Sequence, residues 1–271
     1  MGLESIMSPE EIRSMYLKKR EGRNFSAIIM GLYGSGKTTL IGTSPRPLLI
    51  DSFDPKGTVV IEQLYWDEIE SGNILIRPWW ADDHVRPSAY KEWAHQWDND
   101  VKTGFYNKLG TYAIDSMTFF VEALANQVSR NTFIKRGGDS KIEPGELEIS
   151  DYKTIYNSLK MHVKISSDFQ CHFLTTAHLV IDKHETTGEM IAELDLFKGL
   201  KSKLPALFTE KYVMDNSGSE HKLLTRNKKW FRASSQLGAG NKLLPEEEPN
   251  IRKILDKVGL PSGDKPSLFI I

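Results

Sequence analysis

From residue 25 onwards, short apolar runs alternate with longer amphipathic stretches, and that alternation predicts strands joined by helices. The apolar runs place strands at 25–30, 47–51, 73–77, 111–115 and 170–176. Between them, one helix opens at Lys37, and a second carries Trp93, Trp97 and Val101 at every fourth position. A third spans 117–128, and a fourth gathers Tyr152, Ile155, Tyr156, Leu159 and Val163 on one face. Strands rich in Ile, Leu and Val, each followed by such a helix, predict an α/β fold with a mostly parallel, doubly wound sheet.

The ends of the chain read differently. Ser8-Pro9-Glu10-Glu11 combines a capping serine, a proline at the first helical position and a glutamate three residues after the cap. That capping box predicts a helix over 9–20, whose basic end (Lys18, Lys19, Arg20) suits a helix C-terminus. Residues 1–22 are therefore expected to form an N-terminal helical arm, and 23–271 a single domain. Late in the chain, 211–231 reads as two strands joined by a turn around 216–218, an antiparallel extension of the sheet. A last helix over 249–258 is stopped by Gly259 and Pro261. The stretch 130–144 is expected to be a long loop.

Composition narrows the function classes. The 35 Lys and Arg residues balance 36 Asp and Glu residues, which excludes bulk polyanion binding through net charge and leaves local basic patches. The single cysteine, Cys171, cannot form an internal disulfide and argues for a reducing compartment. No apolar run approaches the ~20 residues that span a bilayer, and the N-terminus lacks a signal-peptide core, so a cytoplasmic protein without a membrane partner is expected.

Gly31-Leu32-Tyr33-Gly34-Ser35-Gly36-Lys37-Thr38 matches G-x-x-x-x-G-K-[ST] in full, after an apolar strand and before a helical pattern. The glycines let backbone N–H groups turn inward around phosphates; Lys37 would reach the β and γ phosphates, Thr38 would ligate Mg²⁺, and Thr39 would contact the α phosphate. Tyr112-Ala113-Ile114-Asp115-Ser116 ends a strand in a carboxylate placed to hold the same Mg²⁺. Leu49-Ile50-Asp51-Ser52-Phe53-Asp54 brings two more carboxylates to the edge where ligands bind in open α/β sheets. Asp51 or Asp54 would orient an attacking water, or else cap the turn with Pro55 and Gly57; both readings stay open. His178 ends a further strand at that edge, within reach of a γ phosphate. Trp93 and Trp97, at helical spacing, read as core residues.

These residues resemble the RecA superfamily of P-loop ATPases, and in particular phage-encoded RecA-like proteins of single-strand annealing and recombination. The resemblance rests on GLYGSGKTT, LLID, YAIDS, the helix entered by Ser150-Asp151-Tyr152, LTTAH, and the closing pattern LLTRNKKWFRASSQLG before EPNIRKIL. It implies a RecA-like core that uses ATP and Mg²⁺, works as a homo-oligomeric ring or filament and binds single-stranded DNA, with a single-strand-binding or annealing protein as a further partner. Its DNA-contacting loops correspond to 130–141, with Arg130, Lys135, Arg136 and Lys141, and to 181–203, with Lys198 and Lys201. Lys228, Lys229, Arg232 and Arg226 are candidates to reach a neighbour's γ phosphate. The resemblance departs at Phe53, where family members carry a catalytic glutamate, which leaves Asp54 one residue further on. Two other readings remain: a nucleotide-gated assembly factor with little hydrolysis, and a small-molecule or nucleotide kinase.

Overall fold

Strands covered on both faces must be apolar at nearly every position, and the strands that carry this fold are. In the computed structural model, residues 7–21, 24–83, 85–136, 146–183, 188–217 and 220–269 are described. The chain runs α1 (Pro9–Glu21), β1 (Ser26–Gly31), α2 (Lys37–Ile41), β2 (Leu48–Ser52), α3 (Val59–Glu70), β3 (Ile74–Pro78) and α4 (Ala89–Thr103). It continues through β4 (Thr111–Asp115), α5 (Met117–Lys135), α6 (Ile149–Ser167), β5 (His172–Lys183), β6 (Met190–Leu194) and α7 (Lys198–Lys201). It ends with β7 (Glu210–Asp215), β8 (Lys222–Leu224), β9 (Ser234–Ser235), β10 (Glu246–Glu247) and α8 (Ile251–Val258).

The main path of the sheet is β10-β8-β7-β1-β5-β4-β2-β3. From β7 to β3 every neighbouring pair is parallel, whereas β8 and β10 add on antiparallel. This is the expected α/β architecture. Alternation of side chains along each strand splits the core into two layers. Leu49, Tyr112, Ile114 and Ile28 pack under α4, α5 and α6, while Leu48, Ile50, Ala113 and Ile29 pack under α2, α3 and α8. All five sequence-read strands are present, β5 running further than expected. β8 pairs antiparallel with β7, the expected extension of the sheet, while residues 218 and 219, at the expected turn, lie outside the described residues.

Several expectations change. α3 had no forecast; its helix is interrupted by non-helical backbone at Tyr65 (φ −135°, ψ 31°), which breaks the 3.6-residue pattern. The stretch 130–144 is not all loop, because α5 continues through Lys135; residues 137–145, which hold the Gly137-Gly138 pair and Lys141, lie outside the described residues. The stretch 181–203 is likewise no simple loop: β5 runs on past the sheet to pair with β6 from Leu179 to Lys183, and α7 follows. The N-terminal capping box forms as read, with the Ser8 amide donating to Glu11 Oε2 at 2.7 Å and the Glu11 amide to Ser8 Oγ at 3.1 Å. Among the described residues, no helix is long and apolar enough to cross a membrane.

Candidate functional site

The loop between β1 and α2 folds around its own lysine. Gly34 and Gly36 sit at φ 72° and 88°, a left-handed backbone that side-chain-bearing residues rarely adopt, so the loop needs glycine at both positions. Lys37 Nζ donates to the carbonyls of Gly31 at 3.1 Å and Leu32 at 2.9 Å, and lies 3.5 Å from His178 Nδ1. Burial pushes the Lys37 ammonium down to about 8, even though Asp115 and Asp54 support its charge. A buried ammonium held near two carboxylates and backbone carbonyls is ready to exchange those partners for phosphate oxygens.

The strand order brings the other side chains to it. β5 lies between β1 and β4, so Thr176 stands next to Asp115. Asp115 accepts from Thr38 Oγ1 at 2.8 Å and, through its other oxygen, from Thr176 Oγ1. Desolvation raises the Asp115 carboxyl above its ordinary range, with the hydrogen bonds from Thr176 and Thr38 opposing. A cation at this oxygen pair would reverse that penalty. Thr38 and Asp115 therefore fit a Mg²⁺ that takes its remaining ligands from phosphate and water, the usual habit of this ion. Gly57 leaves the space open: a Cβ there would lie 2.9 Å from Asp115 Oδ2. Among the described residues there is no cluster of three His, Cys, Asp or Glu side chains that could hold a metal.

Asp54 and His178 complete the wall. Asp54 Oδ1 accepts from the Lys56 amide at 2.9 Å, so it does cap the turn; its Oδ2 lies 3.5 Å from His178 Nε2. Burial opposes the Asp54 charge, yet His178, the Lys56 amide and Lys37 together hold its carboxyl below the usual carboxylate range. The imidazole thus turns Nδ1 toward the Lys37 ammonium and Nε2 toward the Asp54 carboxylate. The ring is clamped between Tyr33, stacked at 6.0 Å, and the edge of Phe119 at 5.8 Å. Together with Thr39 and Lys56, these groups line a cleft of about 220 Å³.

Asp51 is not part of this cleft. It is fully buried and accepts from Arg77 at 2.7 and 3.1 Å, Trp79 and Trp93 at 2.9 Å each, and Tyr112 at 2.8 Å. Arg77 also bonds Asp100 at 2.5 Å. The expected water-orienting role for Asp51 is thus corrected to a structural one, because every direction around its carboxylate is taken by a donor. Phe53 is equally buried, packed edge-on against Phe120 and Trp93. Trp93 and Trp97 are core residues, as read from their spacing.

The basic residues expected to contact DNA or a neighbour's γ phosphate are dispersed. Arg130 lies on α5 with its guanidinium over the Phe133 ring at 5.7 Å, Lys135 is the last residue of that helix, and Arg136 pairs with Glu148. Lys201 pairs with Glu193 at 2.8 Å, and Lys198 begins α7. Lys228 is held by Asp215 at 3.1 Å and Glu246 at 2.9 Å, Arg226 bonds Asn241 at 3.3 Å, and Lys229 lies over the Trp230 ring. A larger cavity of about 760 Å³ opens beside the antiparallel β5–β6 pair, with Lys183, Lys198, Lys201, Lys211 and Arg232 against Asp182 and Glu193. It contains none of the P-loop residues, and size alone does not make it the reacting site.

Sequence reading missed three contributors. Thr176 was legible once β4 and β5 were aligned. Gly57 and His221 were not: His221 comes from the segment before β8, and its Nδ1 lies 3.0 Å from the Ser35 carbonyl, a contact across 186 residues that no local pattern announces.

No protein-family model and no curated protein matches the chain. Among solved structures, the chain is similar to the assembled ATPase EscN, in complex with its central stalk EscO, from the type III secretion system of enteropathogenic E. coli. The identity is 12%, the match covers 72% of this chain and 42% of that one, and the TM-score is 0.44. The chain thus spans less than half the length of that protein. The fold assignment rests on strand order and loop geometry.

Proposed function

We propose that this chain is a P-loop nucleoside triphosphatase that binds ATP with Mg²⁺ and hydrolyses it. The observation that carries the reading is the convergence of Lys37, Thr38, Asp115, Asp54 and His178 on one cleft at the carboxyl edge of a parallel sheet. Bound Mg²⁺ would supply charge neutralisation at the phosphates, held by Thr38 and Asp115. Lys37 exchanges its carbonyl partners for phosphate oxygens, and the loop amides orient the chain of phosphates. Asp54 keeps its charge at neutral pH and is the group placed to accept a proton from water. His178 orients Asp54 through Nε2 and keeps Lys37 within the cleft through Nδ1. Asp54 in the cleft favours turnover over the gated, non-hydrolysing reading that Phe53 suggested.

The finer reading is a RecA-like homo-oligomer acting on single-stranded DNA in phage-type recombination, annealing or replication, in the cytoplasm of the host. Its support is the sequence resemblance and the basic lining of the 760 Å³ cavity. The pairing of Lys201 and Arg136 with carboxylates weakens those two as phosphate contacts. ATP turnover with and without single-stranded DNA at fixed salt tests both levels. DNA-stimulated turnover that Lys37→Ala abolishes is the expected result. Turnover that ignores DNA retires the DNA reading, and turnover undiminished in Lys37→Ala retires the whole assignment.

A further inference from the structure

A planar trans peptide points its N–H away from its C=O, so a carbonyl held on one side of a loop aims the following amide to the other. In the loop between β1 and α2, Lys37 holds the carbonyls of Gly31 and Leu32, and the Leu40 amide holds that of Gly36 at 3.0 Å within the helix. The Ser35 carbonyl is held from outside the loop, by His221 Nδ1 at 3.0 Å. A carbonyl only accepts, so Nδ1 carries the proton and donates it. Gly36 lines the cleft and His221 does not, so the Gly36 amide, turned away from His221, is turned toward the phosphates.

Sheet topology brings the imidazole there. β7 lies next to β1, with Met214 opposite Gly31, and β8 returns antiparallel with Lys222 opposite Asp215. The residue before Lys222 therefore arrives at the carboxyl edge of β7, beside the loop that leaves β1. Lys228 ties Asp215 to Glu246 at 3.1 and 2.9 Å, and Lys222 lies 3.4 Å from Glu246, so charge joins the ends of β7, β8 and β10 in one frame. The fit against the loop is close: a Cβ at Gly36 would lie 3.0 Å from His221 Nδ1 and 3.4 Å from Met214 Cε. His221 is itself exposed, so little of the core depends on its ring.

We infer that His221 is a positioning residue for the phosphate loop, a role that rests on the nucleotide reading of the cleft. It latches the Ser35 carbonyl, so the Gly36 amide stays aimed at the phosphates while Lys37 exchanges its own carbonyl partners for phosphate oxygens. Loop amides of this kind cradle the α and β phosphates, which ATP and ADP share. The latch therefore sets affinity for both nucleotides and leaves the step at the γ phosphate to Asp54.

Three full-length variants test the latch. His221→Asn keeps a donor at the Nδ1 position, His221→Leu keeps bulk against Gly36 without a donor, and His221→Ala keeps neither. Calorimetric titration with ATP and with ADP, both with Mg²⁺, and steady-state turnover are the measurements, with far-ultraviolet circular dichroism to confirm each fold. His221→Leu and His221→Ala should weaken ATP and ADP alike, roughly 3–10-fold, the range of one lost hydrogen bond, and raise KM with kcat within about twofold of wild type. His221→Asn should recover most of that loss. Wild-type affinity in His221→Leu, an Asn variant no better than the Leu variant, or a loss confined to ATP or to kcat overturns the latch. Lys37→Ala measured alongside separates the two levels. If wild type binds ATP, Lys37→Ala binds it poorly and every His221 variant matches wild type, the latch alone falls; a wild-type chain that binds neither nucleotide retires the cleft reading and the latch with it.

Discussion

Asp51 and Asp54 are three residues apart, yet one carboxylate is sealed in the core and the other opens on the cleft. Side-chain alternation already separates them. Asp51 shares its parity with Leu49, which faces the aromatic layer, and its register partner on β3 is Arg77. That parity was legible before folding; that Trp79, Trp93 and Tyr112 would all reach the same carboxylate was not. Asp51→Asn should cost about 3–5 kcal/mol of stability by leaving Arg77 under-compensated in the core, measured by denaturant unfolding. Asp54→Asn keeps the cap on the Lys56 amide through its side-chain oxygen, gives up the stabilisation of the charged form, and should lower turnover about 10²–10⁴-fold, the range of a lost general base.

His162 makes a separate residue-scale prediction. It is buried against Trp93 and Trp97 at 4.9 and 4.7 Å, and desolvation lowers its pKa to about 4. Between about 6.5 and about 4 the unfolded chain holds a proton that the folded chain refuses. Stability from this group is therefore full above that window and falls as pH drops through it, by up to roughly 3 kcal/mol. His162→Phe should flatten this acid limb relative to wild type in chemical denaturation run from pH 7 to 4.

At the scale of elements, the sequence announced what local chemistry decides. α8 begins at Asn250, whose side chain accepts from the Lys253 amide at 3.1 Å, and ends at Gly259 in the left-handed region (φ 74°). It buries Ile251, Ile254, Leu255 and Val258 on one face. Asn250→Ala should cost about 1 kcal/mol, and Ile254→Ala roughly 2–5 kcal/mol through the cavity it leaves, both read from thermal or denaturant midpoints. What local chemistry does not decide stayed hidden. α3 is broken at Tyr65, and the pairing of β6 with β5 depends on a partner strand rather than on its own five residues. α5 runs on to Lys135 because nothing in 129–135 stops a helix, so Arg130 and Lys135 project from a rigid element instead of a pliant loop.

For the whole molecule, the near-zero net charge is unevenly spread. At the cleft Asp54 and Asp115 are balanced by Lys37 and Lys56, whereas around the larger cavity Lys183, Lys198, Lys201, Lys211 and Arg232 outnumber Asp182 and Glu193. If that cavity tracks single-stranded DNA, replacing both Lys198 and Lys211 with Ala should reduce the log–log salt slope of binding by about 1.4, at ~0.7 per phosphate contact; an unchanged slope would place DNA elsewhere. Binding of ATP with Mg²⁺ in the cleft is independent of where DNA lies. Isothermal titration of ATP into the wild-type chain and into folded Lys37→Ala, each with and without Mg²⁺, tests it most directly. Binding of one nucleotide per chain should depend on Mg²⁺ and be weakened roughly 10–100-fold or more by loss of the ammonium–phosphate contacts. Equal affinity in the two chains, or affinity indifferent to Mg²⁺, would contradict it.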